Sequence, residues 1–140
     1  MTIATDAEVE ALLKVVDPKD NATGGGTASA VAGALAAGLA GMVARVSRGR
    51  ADMEPDAFYD DVDKAARRLA RSLLAGGLAD SEAFGGVMQA YRLPKDSPDD
   101  KAARSLAIQA ALEGATAVPL DNGEQCAEVL ELLARLTPKH

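Results

Sequence analysis

The chain has 140 residues, a formal net charge of −6, an aromatic content of 3%, one Cys and one His. An acidic chain with so few rings is a poor partner for nucleic acid, which needs basic patches and stacking platforms. A lone Cys126 forms no intrachain disulfide or cysteine metal cluster, and the only histidine, His140, is the last residue, so acid–base work falls to carboxylates, lysines or tyrosines.

In chain order, Thr5-Asp6-Ala7-Glu8 has the spacing of a capping box. Val9, Leu12, Leu13 and Val16 follow at helical intervals until Pro18, predicting a short first helix. The triple glycine Gly24-Gly25-Gly26 lies in an uncharged run from Asn21 to Ala44, closed by Arg45. Such a run is either a membrane span or a deeply buried helix. A span needs about 20 predominantly hydrophobic residues, whereas Ala28 to Ala44 holds only Val31, Leu35, Leu39, Met42 and Val43 as large apolar residues, the rest being mostly Ala and Gly. The buried reading is preferred, with a core helix from about Gly26 to Ser47. Gly49 is placed to cap its end, and Arg45, Arg48 and Arg50 to offset its dipole. The acidic N-terminus does not resemble a secretory signal, so a soluble cytoplasmic protein without a membrane partner is expected.

Pro55 marks the first turn of a third helix carrying Phe58, Val62, Ala65, Ala66, Leu69 and Leu73 on one face. Its charged face is most simply solvated. Gly76 and Gly77 either break this helix or lie inside a longer rod that continues through Phe84, Val87, Met88 and Tyr91 to Pro94. Ser97-Pro98-Asp99-Asp100 is a strong helix start, and that helix is expected to reach about Thr116. Pro119 is read as an interruption, followed by a last helix with Cys126, Val129, Leu130, Leu133 and Leu136. With no alternating strand pattern, the expectation is one all-α domain over residues 1–140, a helical bundle around the long Ala/Gly-rich core helix. Ala30, Ala34 and Gly38 form one stripe of small residues and Gly33, Ala37 and Gly41 another. They invite close neighbours on two sides, one of them a possible second subunit.

Two places could carry chemistry. Gly24, Gly25 and Gly26 followed by Thr27 leave free amide donors at a helix start, suited to an anionic or carbonyl-bearing ligand. The pattern is neither a Walker A loop nor a dinucleotide fingerprint, and a plain entry loop capped by Thr27 fits it equally. Asp80, if helical, shares a side with residues 76, 77, 84 and 87, giving a carboxylate with room above it in a partly dry setting suited to proton transfer. The competing reading is an N-cap after a glycine break. Arg92, Lys95 and Arg104 around the Leu93-Pro94-Lys95 turn could hold an anion, or be solvated.

The string ATGGGTASAVAGALAAGLAGMVARVSRGR resembles the signature of the formiminotransferase-cyclodeaminase C-terminal family, which includes methenyltetrahydrofolate cyclohydrolases. The later string DSEAFGGVMQAYRLPKDSPDDKAARSLAIQAALEGATAVPL is similar to that family's Asp-x-x-Ala-Phe, Leu-Pro-Lys, Arg and Val-Pro-Leu order. The chain departs from the pattern in having Thr23 and Thr27 where the family has proline and serine, and in stopping at Thr137-Pro138-Lys139-His140, well short of typical members.

The resemblance implies an all-α folate one-carbon enzyme with no prosthetic group and no metal, whose substrate is a tetrahydrofolate derivative. It implies that Asp80 is the catalytic acid–base, that Gly24 to Thr27 bind folate, and that Lys95 or Arg104 receives its glutamate tail. It leaves two reactions open: a cyclohydrolase giving 10-formyltetrahydrofolate, preferred because no formiminotransferase domain is attached, and a cyclodeaminase releasing ammonia. A non-catalytic helical oligomer or binding module derived from the family is the third expectation. The small-residue stripes and the short C-terminus imply a homodimer.

Overall fold

The computed structural model describes residues 6–15, 17, 19 and 24–137. Four helices are found there: α1 (Asp6–Lys14), α2 (Gly25–Ser47), α3 (Asp56–Tyr91) and α4 (Pro98–Leu136), with no strand among the described residues. The all-α expectation is met. Thr5, Val16, Pro18, Thr23 and His140, which entered the sequence reading, lie outside the described residues.

The long helices α2, α3 and α4 pack against one another. Large side chains of α3 and α4, among them Tyr59, Val62, Leu69, Leu73, Val129, Leu132 and Leu136, bury against Ala34, Ala37, Ala40 and Ala44 of α2. The alanines add little area each at about 25 cal/mol per Å², but they let three helices meet closely around a shared core. The stripe of Gly33, Ala37 and Gly41 is used inside the chain, where Gly33 meets Leu73 of α3 and Cys126 of α4 and Gly41 meets Ala66, whereas the other stripe is used only in part, with Ala30 and Ala34 buried and Gly38 open. The expectation of a deeply buried α2 holds for that side alone. Leu35, Leu39, Met42 and Val46 point outward, because two neighbours cover only half of a helix. By length and composition alone α2 could also cross a membrane.

α2 and α3 run antiparallel in a register fixed from end to end. The Gly49 amide donates to Asp56 at 2.7 Å, Arg48 pairs with Asp60 at 3.0 Å, and Arg45 pairs with Asp63. Asp63 also holds Arg67, at 2.9 Å, and Arg68 reaches Glu128 of α4 at 2.7 Å. The face of α3 that the sequence presented as solvated is therefore partly an ion-pair seam. Arg45 and Arg48 are used there besides facing the α2 C-terminus. Gly49 adopts φ +73°, the left-handed conformation that favours glycine, in the turn that reverses the chain.

The structure corrects the helix boundaries at two places. Gly76 and Gly77 lie inside α3, which is one rod of 36 residues. Pro119 lies inside α4, which runs unbroken for 39 residues. An interior proline costs about 3 kcal/mol, and packing of Asn122, Gln125, Val129, Leu132 and Leu136 beyond it holds the helix on course. The start of α4 is as read: Ser97 accepts from the Asp100 amide at 3.1 Å and Asp100 accepts from the Ser97 amide at 3.0 Å. The Ser97 side chain and backbone hydrogen bonds hold the Asp100 carboxyl below the usual carboxylate range.

Candidate active site

Three uncapped glycines and a carboxylate meet where α2 begins. Gly24 occupies the N-cap position in extended conformation and offers no side-chain cap, so the first amides of α2 have no intrahelical acceptor. The three glycines do different things. A Cβ on Gly24 or Gly25 would meet nothing within 4 Å, whereas one on Gly26 would sit 2.6 Å from Cγ of Asp80. Gly26 is the residue whose missing side chain admits the carboxylate.

Asp80 lies in the interior of α3, which rules out the N-cap reading of it. Thr27, buried, donates its hydroxyl to Asp80 Oδ2 at 2.9 Å; its oxygen also lies 3.2 Å from the Gly77 carbonyl and 3.1 Å from Ser81 Oγ. One hydroxyl has one proton, and the charged acceptor gives the stronger bond, so Ser81 is left to donate to Thr27. Thr27 is thus not the cap of α2 but the peg that fixes Asp80. The carboxylate stands at the positive end of the α2 dipole, where negative charge is favoured.

The two glycines preceding Asp80 explain why it can be held so closely. Gly77 packs under Thr27 and Ala30 of α2, and a Cβ on Gly76 would sit 2.9 Å from Cγ of Asn122 on α4. The room that the sequence placed above Asp80 is therefore occupied at residues 76 and 77 by neighbouring helices. What stays open lies toward Phe84, which is exposed. Neither Ser81 nor Asn122 was singled out from the sequence. Ser81 had only its adjacency to Asp80 as a signal, and Asn122 had none.

Lys95 and Arg104 stand apart from this cluster. Tyr91 is eleven residues beyond Asp80 on α3, about 16 Å at 1.5 Å per residue, and the turn that follows carries exposed Lys95. Arg104 donates to the Tyr91 carbonyl at 3.1 Å and lies 5.6 Å from the Tyr91 ring centre, so it closes the α3–α4 turn. Among the described residues no group of His, Cys, Asp and Glu side chains is arranged to hold a metal ion.

A surface depression of about 410 Å³ lies elsewhere, lined by Ala37, Gly38, Gly41, Arg45, Ala66, Arg67 and Ala70, and its arginines are paired to Asp63. Its lining carries no carboxylate and does not include Asp80.

Comparison with known proteins places the whole chain rather than its individual residues. The formiminotransferase-cyclodeaminase family model matches residues 8–140. A methenyltetrahydrofolate cyclohydrolase of Methylorubrum extorquens is 37% identical over 131 residues, 93% of this chain and 63% of that protein. Formimidoyltransferase-cyclodeaminases of Rattus norvegicus and Sus scrofa are each 33% identical, over 94% and 89% of this chain but 24% and 23% of their own lengths. The chain thus spans just under two thirds of the cyclohydrolase and about a quarter of the bifunctional proteins. With a family match over nearly its whole length, the chain belongs to the formiminotransferase-cyclodeaminase family.

Proposed function

We propose that this protein is a methenyltetrahydrofolate cyclohydrolase, converting 5,10-methenyltetrahydrofolate and water to 10-formyltetrahydrofolate with Asp80 as acid–base. The observation that carries this reading is the Asp80 carboxylate pegged by Thr27 against Gly26, beside the open Gly24 and Gly25. The substrate carries a cationic carbon between N5 and N10, and a fixed anion favours its approach. Water adds to that carbon as Asp80 accepts a proton, giving a neutral tetrahedral adduct. Asp80 returns that proton to N5 as the C–N5 bond breaks, and the hydroxyl proton leaves to solvent as the formyl carbonyl forms. The amides of Gly24 to Thr27 supply donors to the pteridine carbonyl, and Lys95, with Arg104 behind it, receives the glutamate tail.

The cyclodeaminase reaction passes through a tetrahedral carbon between the same nitrogens, bearing an amino group, and the names of the vertebrate relatives keep it as the second reading. The cyclohydrolase is preferred because the bacterial relative bearing that name is 37% identical. No resident cofactor or metal enters either scheme. We place the enzyme in the cytoplasm, where the unpaired thiol of Cys126 suits a reducing compartment. The outward Leu35, Leu39, Met42 and Val46 favour a homodimer through α2 over a membrane contact, with no part for nucleic acid.

The test is loss of methenyltetrahydrofolate absorbance above the buffer rate, in wild type and in Asp80→Asn. Asp80→Asn keeps the size of the side chain and removes its charge, so turnover should fall by about 10²-fold or more while folate affinity changes much less. A wild type inert toward both the methenyl and formimino substrates would leave the non-catalytic helical module as the reading. Full activity of Asp80→Asn would return that residue to a structural role.

A further inference from the structure

Because α2 and α3 are antiparallel, with Gly26 against Asp80 and Thr27 against Gly77, α2 begins level with Asp80. The last turns of α3 run on past it. On the side that α2 vacates, α3 carries Phe84, Met88 and Tyr91, which follow Asp80 at intervals of four, four and three residues and so form one ridge. They are 45%, 40% and 49% exposed. The ridge is anchored along its edge, since the neighbouring Val87 and Ala90 are buried.

The chain has two Phe, two Tyr and no Trp. Phe58 and Tyr59 form an edge-to-face pair beside the core, 5.2 Å between ring centres. The other two aromatic residues both stand on this ridge, separated by a methionine, with the Arg104 guanidinium over the outer ring. Single exposed apolar residues need no explanation, but a ridge that holds half the aromatic residues and begins one turn from the acid–base carboxylate has the composition of a ligand wall. Aromatic faces and thioether sulfur both suit a flat ring. The ridge spans about 16 Å from Asp80 to Tyr91 and ends at a turn bearing Lys95.

Resting on the cyclohydrolase reading above, the geometry points to Phe84, Met88 and Tyr91 as the surface that binds the aminobenzoyl ring of the substrate. With the one-carbon bridge at Asp80, the aryl ring lies along the ridge and the glutamate carboxylates reach the Lys95 turn. The pteridine lies on the other side of the bridge, toward the amides of Gly24 and Gly25. The three side chains select folates over free pterins and touch no reacting atom.

The experiment compares wild type, Phe84→Ala, Met88→Ala and Leu130→Ala, the last an exposed α4 position away from the ridge, after matching melting curves. KM and kcat are measured on methenyltetrahydrofolate, and p-aminobenzoylglutamate is titrated as a competitor. The expected result is a KM increase of about 10-fold in each ridge variant with a much smaller change in kcat, by loss of a stacking surface. The inhibition constant of p-aminobenzoylglutamate should rise by a similar factor, and Leu130→Ala should behave as wild type. Unchanged KM and unchanged competition in Phe84→Ala and Met88→Ala would overturn the assignment and leave the cyclohydrolase reading standing. Absence of turnover in wild type would remove that reading and this one together.

Discussion

Gly24, Gly25 and Gly26 look identical in the sequence and differ completely in their surroundings. Gly26 has the Asp80 carboxylate where its side chain would be, while Gly24 and Gly25 face open space. Gly26→Ala should therefore displace Asp80 and lower kcat by at least about 10-fold, since a well-packed site does not absorb an added methyl group without movement. Gly25→Val should leave Asp80 in place and instead block backbone approach, raising KM more than it lowers kcat. Steady-state kinetics on the two variants, with circular dichroism to confirm folding, checks the contrast. Equal effects on both parameters in both variants would show that the loop does not divide its work in this way.

α3 is a single helix in spite of Gly76 and Gly77, each of which costs about 1 kcal/mol relative to alanine in a helix interior. The cost is offset by what the missing side chains admit: Thr27 and Ala30 from α2 on one side, and Asn122 from α4 on the other. Asn122 is itself expensive. It is 1% exposed, and neither its amide nitrogen nor its oxygen has a partner, a condition that costs about 1–3 kcal/mol for a buried polar group. Asn122→Leu, similar in shape and without the polar atoms, should raise stability by about 1 kcal/mol in urea denaturation, whereas Gly76→Ala should lower it by about 1–3 kcal/mol through overpacking against the same residue. A destabilised Asn122→Leu would show that the amide makes a bond worth more than its desolvation.

At the scale of the molecule, α3 and α4 cover one side of α2 and leave a row of large apolar residues on the other. Leu35, Leu39, Met42 and Val46 recur at helical spacing on that outward side, with no charged residue between them until Arg45. The proposed homodimer would use this face, because Gly38, exposed and with nothing within 4 Å of its missing Cβ, leaves room for two helices to cross closely there. Light scattering should give a dimeric mass for wild type and a monomeric mass for Leu39→Glu, which places a charge in the middle of the row. A monomeric wild type would remove the dimer.

Local chemistry determined the helical class, the Ser97 start of α4, the alanine face of α2 and the nearness of Asp80 to the glycine loop through the family resemblance. Each of these is written in adjacent residues, through capping geometry, helical period or a motif string. The continuity of α3 through Gly76-Gly77 and of α4 through Pro119 was not legible. Intrinsic propensity opposes both, and only packing against neighbouring helices outweighs it. The roles of Gly26, Thr27 and Asn122 were hidden for the same reason: each is defined by an atom on a helix some fifty residues away, and no spacing rule within one helix reports what lies across it.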